Sequence, residues 1–215
     1  MFKTLPNTRT LALALVATCG TAQAATITIG EGPGVGTPVT LDPSQFSASG
    51  LCGSGDSVVN DGCSVVLKSD PTAKDAFGRF DPWGDAWIDS QDLSEVTWRF
   101  AMTNRTFNRL TFALTDAYDQ PFHETFGESF FRLSIDGAEW SIDEQQANGN
   151  LHWITIWFGE DRSEADIRLS TRLNDGWGIR AALVAPVPLP GAGLLMLAGL
   201  GGLAAVGRRR AKAQD

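Results

Sequence analysis

The chain has 215 residues, 43% of them hydrophobic, and a formal net charge of −8 at pH 7. Residues 25–186 hold 24 of the acidic residues but only 11 of the basic ones, so this part of the chain has a net charge of −13. A surface this acidic repels nucleic acid and anionic lipid, which excludes both as expected partners. Between its two ends the chain leaves roughly 160 residues for folding, close to the usual size of one domain.

Residues 1–24 have the pattern of a signal peptide. A basic start precedes an uncharged apolar run at 11–17, which is too short to span a bilayer. The sequence Ala-Gln-Ala that ends at Ala24 is typical of a signal-peptidase site. We therefore expect cleavage before Ala25 and export of the mature chain. The alternative is a lipoprotein, because the residues before Cys19 loosely resemble a lipobox.

Cys52 and Cys63 are the two cysteines that remain once the leader, with its Cys19, is removed. Exported domains fold in an oxidising compartment, where two such thiols pair. The segment between them is rich in glycine and includes Asp-Gly at 61–62, which favours a turn. We predict a Cys52–Cys63 disulfide, which would contribute about 2–3 kcal/mol of stability.

Residues 81–92 combine four aspartates with two tryptophans. The six residues are Asp81, Trp83, Asp85, Trp87, Asp89 and Asp92. Carboxylate oxygens at this density are the ligands that calcium prefers, although the spacing differs from that of an EF-hand loop. The alternative is a solvated acidic loop beside a strand, and no other cofactor is predicted.

Trp83 and Trp87 are predicted to be exposed in this loop, where their rings could stack on sugar rings. A carbohydrate-binding module is therefore one alternative for the function of the domain. The other tryptophans that fall on apolar stripes are predicted to fill the core. They are Trp98, Trp140, Trp153 and Trp177.

Apolar and polar residues alternate with a period of two through most of the middle of the chain, which indicates β-strands. The predicted strands cover 26–29, 38–41, 64–68, 95–103, 109–115, 130–135, 140–142, 151–158, 167–173 and 177–183.

The strand at 151–158 is apolar on both faces and is predicted to be central in its sheet. Asp136-Gly137 and the Asn-Asp-Gly sequence at 174–176 predict tight turns, since these residue types tolerate positive φ. Many short strands separated by turns favour an all-β fold for residues 25–183. We expect this acidic ectodomain to be a single β-sandwich that resembles a jelly roll.

No motif for nucleophilic, metal-dependent or phosphate chemistry is present, and we predict that the domain is not an enzyme. His123 and His152 are its only histidines. A secreted glycoside hydrolase is a second alternative, because that reaction needs only two carboxylates at a suitable separation. The glutamates that could serve are expected to be solvated instead. They are Glu124, Glu128, Glu139 and Glu144.

Residues 184–215 have the pattern of a C-terminal sorting region. It begins with a tetrapeptide formed by Val187, Pro188, Leu189 and Pro190. The uncharged span at 189–206 has the minimum length of a transmembrane helix. A basic stop follows, formed by Arg208, Arg209 and Arg210. The positive-inside rule then places 208–215 in the cytoplasm and the ectodomain outside the inner membrane.

This order of a VPLP motif, a Gly/Ala/Leu-rich span and an arginine cluster resembles the VPLPA-type variant of the PEP-CTERM sorting signal. Gly191 stands where the common form has alanine. In that family an exosortase, a membrane protease-transpeptidase, recognises the proline motif and removes the span and tail. The alternative is a single-span membrane protein with a proline-rich linker.

The resemblance implies a partner and a destination for the chain. The partner would be an exosortase, which processes a precursor held in the inner membrane. The product would be a cell-surface or extracellular-matrix protein associated with exopolysaccharide or biofilm.

Overall fold

The computed structural model describes residues 24–48, 51–54, 57–59, 63–69, 78–83 and 86–185. These residues form fourteen β-strands and one 3-10 turn at Pro43–Gln45. The strands are β1 (Thr26–Gly30), β2 (Thr37–Pro38), β3 (Phe46–Ala48), β4 (Cys52–Ser54), β5 (Ser57–Val59), β6 (Val66–Ser69), β7 (Ala86–Asp89), β8 (Glu95–Ala101), β9 (Phe107–Thr115), β10 (Phe131–Ile135), β11 (Ala138–Ile142), β12 (Leu151–Arg162), β13 (Glu164–Thr171) and β14 (Gly178–Ala185).

The strands form two main antiparallel sheets. The larger sheet has the order β1-β12-β9-β14-β7-β6. Strands β7 and β2 pair with the same edge of β14, β7 with its first residues and β2 with its last. The smaller sheet has the order β11-β10-β13-β8-β3. Strands β4 and β5 form a separate hairpin. The prediction of an all-β fold is confirmed.

The inner faces of the two sheets meet in an aromatic core. In β8, Val96, Trp98 and Phe100 are buried, whereas Arg99 between them is exposed. The Trp98 ring meets that of Phe112 edge to face, with 5.3 Å between the ring centroids. Because β8 belongs to the smaller sheet and β9 to the larger, the sheets pack face to face as in a β-sandwich.

The long strands of the second half follow the predicted alternation. Strand β12 lies between β1 and β9, which confirms the central position predicted for 151–158, and it continues to Arg162 past a register shift. Asp136 and Gly137 have φ values of 48° and 80° and join β10 to β11, as the turn chemistry predicted.

The interpretation of 81–92 as a loop is wrong in part, because Ala86–Asp89 forms β7 and pairs with both β6 and β14. Strands β3, β4 and β5 were not predicted either. A strand of three or four residues places at most two side chains on each face, so no period can be read from it. In β7 the pattern is also hidden because Trp87, Ile88 and Asp89 are all buried.

Candidate functional site

Most of the predicted processing signals lie outside the described residues. This holds for the signal peptide before Ala24, for the VPLP motif, for the span at 189–206 and for the arginine stop. In the part of the chain that the structure describes, no helix is long and apolar enough to cross a membrane. The last of the described strands, β14, continues to Ala185, so the first two residues assigned to the sorting region belong to the domain.

The predicted disulfide between Cys52 and Cys63 is present. Their Cα atoms are 6.2 Å apart, within the range that a disulfide spans. The hairpin that carries Cys52 contacts two neighbouring loops. In the first loop, the Asp92 carbonyl accepts a hydrogen bond from the Gly53 amide. The second loop contains Asn174. A Cβ on Gly53 would lie 2.5 Å from the Asn174 backbone nitrogen, so only glycine permits this approach.

Segment 78–83 covers the outer face of the larger sheet at the end where β9 finishes and β14 begins. The Thr115 hydroxyl of β9 lies within hydrogen-bond distance of the Phe80 nitrogen and carbonyl, at 3.5 and 3.4 Å. Trp83 packs on Trp153 of β12, with 5.7 Å between the ring centroids. Trp153 and Ala113 form a small buried pair of their own, separate from the core between the sheets.

The two tryptophans predicted to bind sugar have opposite environments. Trp83 is 48% exposed, whereas Trp87 is only 1% exposed. Trp87 is inaccessible because β7 places it against Gly178 of β14, where a Cβ would lie 3.3 Å from its ring. The prediction of two exposed rings is therefore corrected to one. The core prediction holds for Trp98 and Trp177, and Trp140 packs partly buried against the core. Trp153 is buried as well, but in its separate pair with Ala113.

The described aspartates of the proposed calcium cluster are bonded to basic side chains. Asp81 pairs with Arg180 at 3.3 Å, and Asp89 pairs with Lys68 at 2.5 Å. Asp92 pairs with Arg79. Asp85 lies outside the described residues. Within the described ranges no group of three or more histidine, cysteine or acidic side chains is arranged to hold a metal ion.

Arg79 is the centre of a buried ion-pair network that the sequence did not reveal. It is 5% exposed, and its guanidinium lies 2.9 Å from Asp89 and 3.7 Å from Asp116, in addition to its bond with Asp92. Burial opposes its charge, but these carboxylates outweigh burial and raise the pKa of Arg79. A Cβ on Gly176 would lie 2.0 Å from the guanidinium, so a glycine is needed there.

Asp175 is the most perturbed acid among the described residues. It is 1% exposed, and neither carboxylate oxygen has a hydrogen-bond partner. Burial, with the nearby charges of Asp119 and Asp116, raises the pKa of Asp175 to about 8, and Arg172 only partly opposes this. The Asn-Asp-Gly sequence predicts only a turn at Asp175, because nothing in its neighbourhood along the chain signals burial.

The backbone is strained at the same end of the domain. Seven described residues other than glycine have positive φ, and five of them lie in the loops around Arg79 and Asp175. These five are Gln91, Asp92, Asp116, Tyr118 and Asn174. Such conformations persist only where the surrounding contacts determine them. The contacts around Arg79 and Asp175 therefore hold these loops in defined conformations.

The histidines considered for catalysis are engaged in local contacts, and the glutamates face solvent. His123 accepts a hydrogen bond from the Thr125 amide at 3.1 Å. His152 is half-buried, which lowers its pKa, and its ring packs on Trp140. Glu124, Glu128, Glu139 and Glu144 are exposed, as predicted.

A groove of about 420 Å³ lies between β2 and β7, which pair with the same edge of β14. Its lining residues are Pro38, Val39, Thr40, Leu41, Leu67, Ala86 and Arg180. Arg180 bonds to Asp81 and to the Ala86 carbonyl, so the charged group of this lining is already engaged.

Comparisons with protein-family models, with curated proteins and with solved structures found no match to this chain.

Proposed function

We propose that the chain is an exported, non-enzymatic protein of the cell surface or extracellular matrix, sorted through its C-terminal tail. The observation that carries the proposal is the order of elements at 187–215: a VPLP motif, an uncharged span and an arginine stop. A signal peptide at the other end requires the same topology, with the ectodomain outside.

The domain suits this destination. A disulfide such as Cys52–Cys63 persists in oxidising compartments outside the cytoplasm. The net charge of −13 over 25–186 keeps the domain soluble. We further infer that the sandwich is of the jelly-roll type. Strands that are distant in sequence, such as β1 and β12, are neighbours in the sheet, which supports this proposal. In this proposal the inner membrane holds the precursor, an exosortase-type enzyme cuts it, and the product associates with exopolysaccharide.

Processing is tested by expressing the full chain with and without an exosortase and weighing the product by mass spectrometry. Cleavage should remove the span and the arginine stop, and the double variant Pro188→Ala, Pro190→Ala should abolish it. Pro186→Ala, just before the motif, is the matched control and should be cut normally. A product that keeps its tail in the presence of the enzyme would contradict the proposal.

A second candidate function is carbohydrate binding, which the half-exposed ring of Trp83 favours. This ring is supported from behind by Trp153 and could stack on a sugar. Titration of the protein with polysaccharides should shift the tryptophan fluorescence, and Trp83→Ala should weaken binding about tenfold. Phe122→Ala removes an aromatic ring that is also exposed and should leave binding unchanged. Equal binding by wild type and Trp83→Ala would exclude this site.

A further inference from the structure

The C-terminal tail leaves the domain at the end where β9 begins. Strand β14 finishes at Ala185, which pairs with Arg109 of β9. Three residues separate Ala185 from the predicted span at 189–206, and three fully extended residues reach only about 10 Å. Under the proposed sorting function, this tail-proximal end of the domain therefore lies against the membrane surface until the tail is removed. The tail-proximal end consists of Val35, residues 102–106, Arg109, Trp157 and Ala185.

Apolar, aromatic and basic side chains meet at the tail-proximal end. Val35 is 78% exposed, the largest fraction of any large hydrophobic residue in the described ranges. Its carbonyl accepts a hydrogen bond from Arg109, whose guanidinium stacks on the partly exposed ring of Trp157, 5.1 Å from the ring centroid. Side chains of these three kinds are the ones that anchor proteins at the boundary between lipid and water. The composition of this end therefore fits a membrane surface.

The charge of the tail-proximal end differs from that of the acidic domain as a whole. Arg105, in the loop between β8 and β9, is exposed and forms no ion pair with another described residue. The two acids near the end of β12 are already engaged, because Glu160 pairs with Arg162 at 3.6 Å and Asp161 accepts a hydrogen bond from Asn108 at 2.8 Å. A lipid phosphate that approaches this end therefore meets an available guanidinium.

We propose, on the basis of the proposed sorting function, that the tail-proximal end binds the phospholipid surface before processing. Val35 and Trp157 lie at the interface, and Arg105 bonds to lipid phosphate. The lipid is zwitterionic, because such headgroups offer phosphate without the net negative charge that would repel a domain of charge −13. The tail makes the contact intramolecular, so contacts that are weak individually are sufficient. Cleavage removes that advantage, and the processed domain should then leave the membrane.

Quenching of tryptophan fluorescence by brominated lipid tests the proposal. The full-length, unprocessed protein is reconstituted in vesicles of phosphatidylcholine, with or without bromine on the acyl chains near the headgroup. Bromine should quench the wild-type protein, and Trp157→Phe should lose most of this quenching. Trp83→Phe is the matched control and should be quenched as wild type is, because Trp83 is more exposed than Trp157 but lies at the opposite end of the domain.

A second pair of variants tests the same surface without changing a tryptophan. Val35→Glu places an acid where the lipid contact is proposed, and it should reduce the quenching as Trp157→Phe does. Its exposed position leaves the fold unaffected. Phe122→Glu makes the same kind of change at an exposed apolar residue in the loop after β9, at the opposite end, and should leave the quenching unchanged.

The outcomes separate this proposal from the sorting function on which it rests. A vesicle-bound protein whose quenching is unchanged in both Trp157→Phe and Val35→Glu would overturn the lipid contact and leave the sorting function standing. Quenching that only Trp83→Phe removes would place a different surface on the membrane. Quenching that requires added exosortase would assign the tail-proximal end to the enzyme instead of the lipid. A protein that does not float with the vesicles would contradict the membrane span itself, and with it both proposals.

Discussion

Arg79 is the buried residue that forms ion pairs with three carboxylates. Replacing it by alanine would remove the basic partner of buried Asp116 and leave buried Asp89 with Lys68 as its remaining cation. An uncompensated buried charge of this kind costs about 3–5 kcal/mol, so Arg79→Ala should lower the free energy of unfolding by that amount in a urea titration. Arg99→Ala removes an arginine from the exposed pair with Glu164 and should have no measurable effect. Equal losses in the two variants would contradict the assigned role of Arg79.

Adding a single methyl group at Gly176 should destabilise the folded domain. An alanine Cβ there would lie 2.0 Å from the Arg79 guanidinium and 2.4 Å from an Asp92 carboxylate oxygen. Both groups are bonded to each other and cannot move freely, so Gly176→Ala should cost about 1–3 kcal/mol in chemical denaturation. Gly32→Ala is the control, since a Cβ at Gly32 meets nothing within 4 Å. A stable Gly176→Ala protein would mean that the network can rearrange.

The disulfide hairpin is the element whose contribution can be measured most directly. Reduction of Cys52–Cys63, or its replacement in Cys52→Ser, Cys63→Ser, should lower stability by about 2–3 kcal/mol. Thermal melts with and without reductant check this in wild type, and the serine variant should be insensitive to reductant. A melting temperature that reductant does not change in wild type would show that the closed loop adds nothing.

The elements of the second half could be predicted from the sequence because their strands are long. Strands such as β8 and β13 bury every second residue, so the period is visible over seven or eight positions. The short strand β7 gives no such signal. Its place is determined by pairing with β14, which follows about ninety residues later in the chain. The exposure of Trp83 and the burial of Trp87 depend on that pairing, which local sequence does not encode.

The buried charges could not be predicted for a related reason. Arg79, Asp116 and Asp175 come from three loops far apart in sequence, and each looks like an ordinary surface residue among its neighbours. Only the folded arrangement removes them from water. The turn at Asp136-Gly137 is the opposite case, since both residues act through their own backbone preference and were identified correctly.

At the scale of the whole molecule, two buried acids should give the domain an optimum in mildly acidic solution. Burial opposes the charge of Asp89, but Arg79 and Lys68 outweigh burial and lower the pKa of Asp89. Its stabilising effect is therefore present above about pH 3.8 and is lost as the pH falls, whereas that of Asp175 is lost as the pH rises through about 8. From these two groups the melting temperature should be highest near pH 4–5, and Asp175→Asn should flatten only the alkaline side. A melting temperature that climbs steadily from pH 5 to 8 would contradict this.

The position of β14 has a mechanical consequence under the proposed tethering by the C-terminal tail. Strand β14 is the last of the described strands, and it lies inside the larger sheet, bonded to β9 on one side and to β7 and β2 on the other. Tension on the tail would enter at Ala185 and run along this strand. Ladder hydrogen bonds lie across the strand direction, so a lengthwise pull loads many of them in shear together instead of peeling them apart one at a time. Resistance to such a pull depends on the barrier to unfolding. A pull on the tail would therefore act on a strand that is paired along both of its edges.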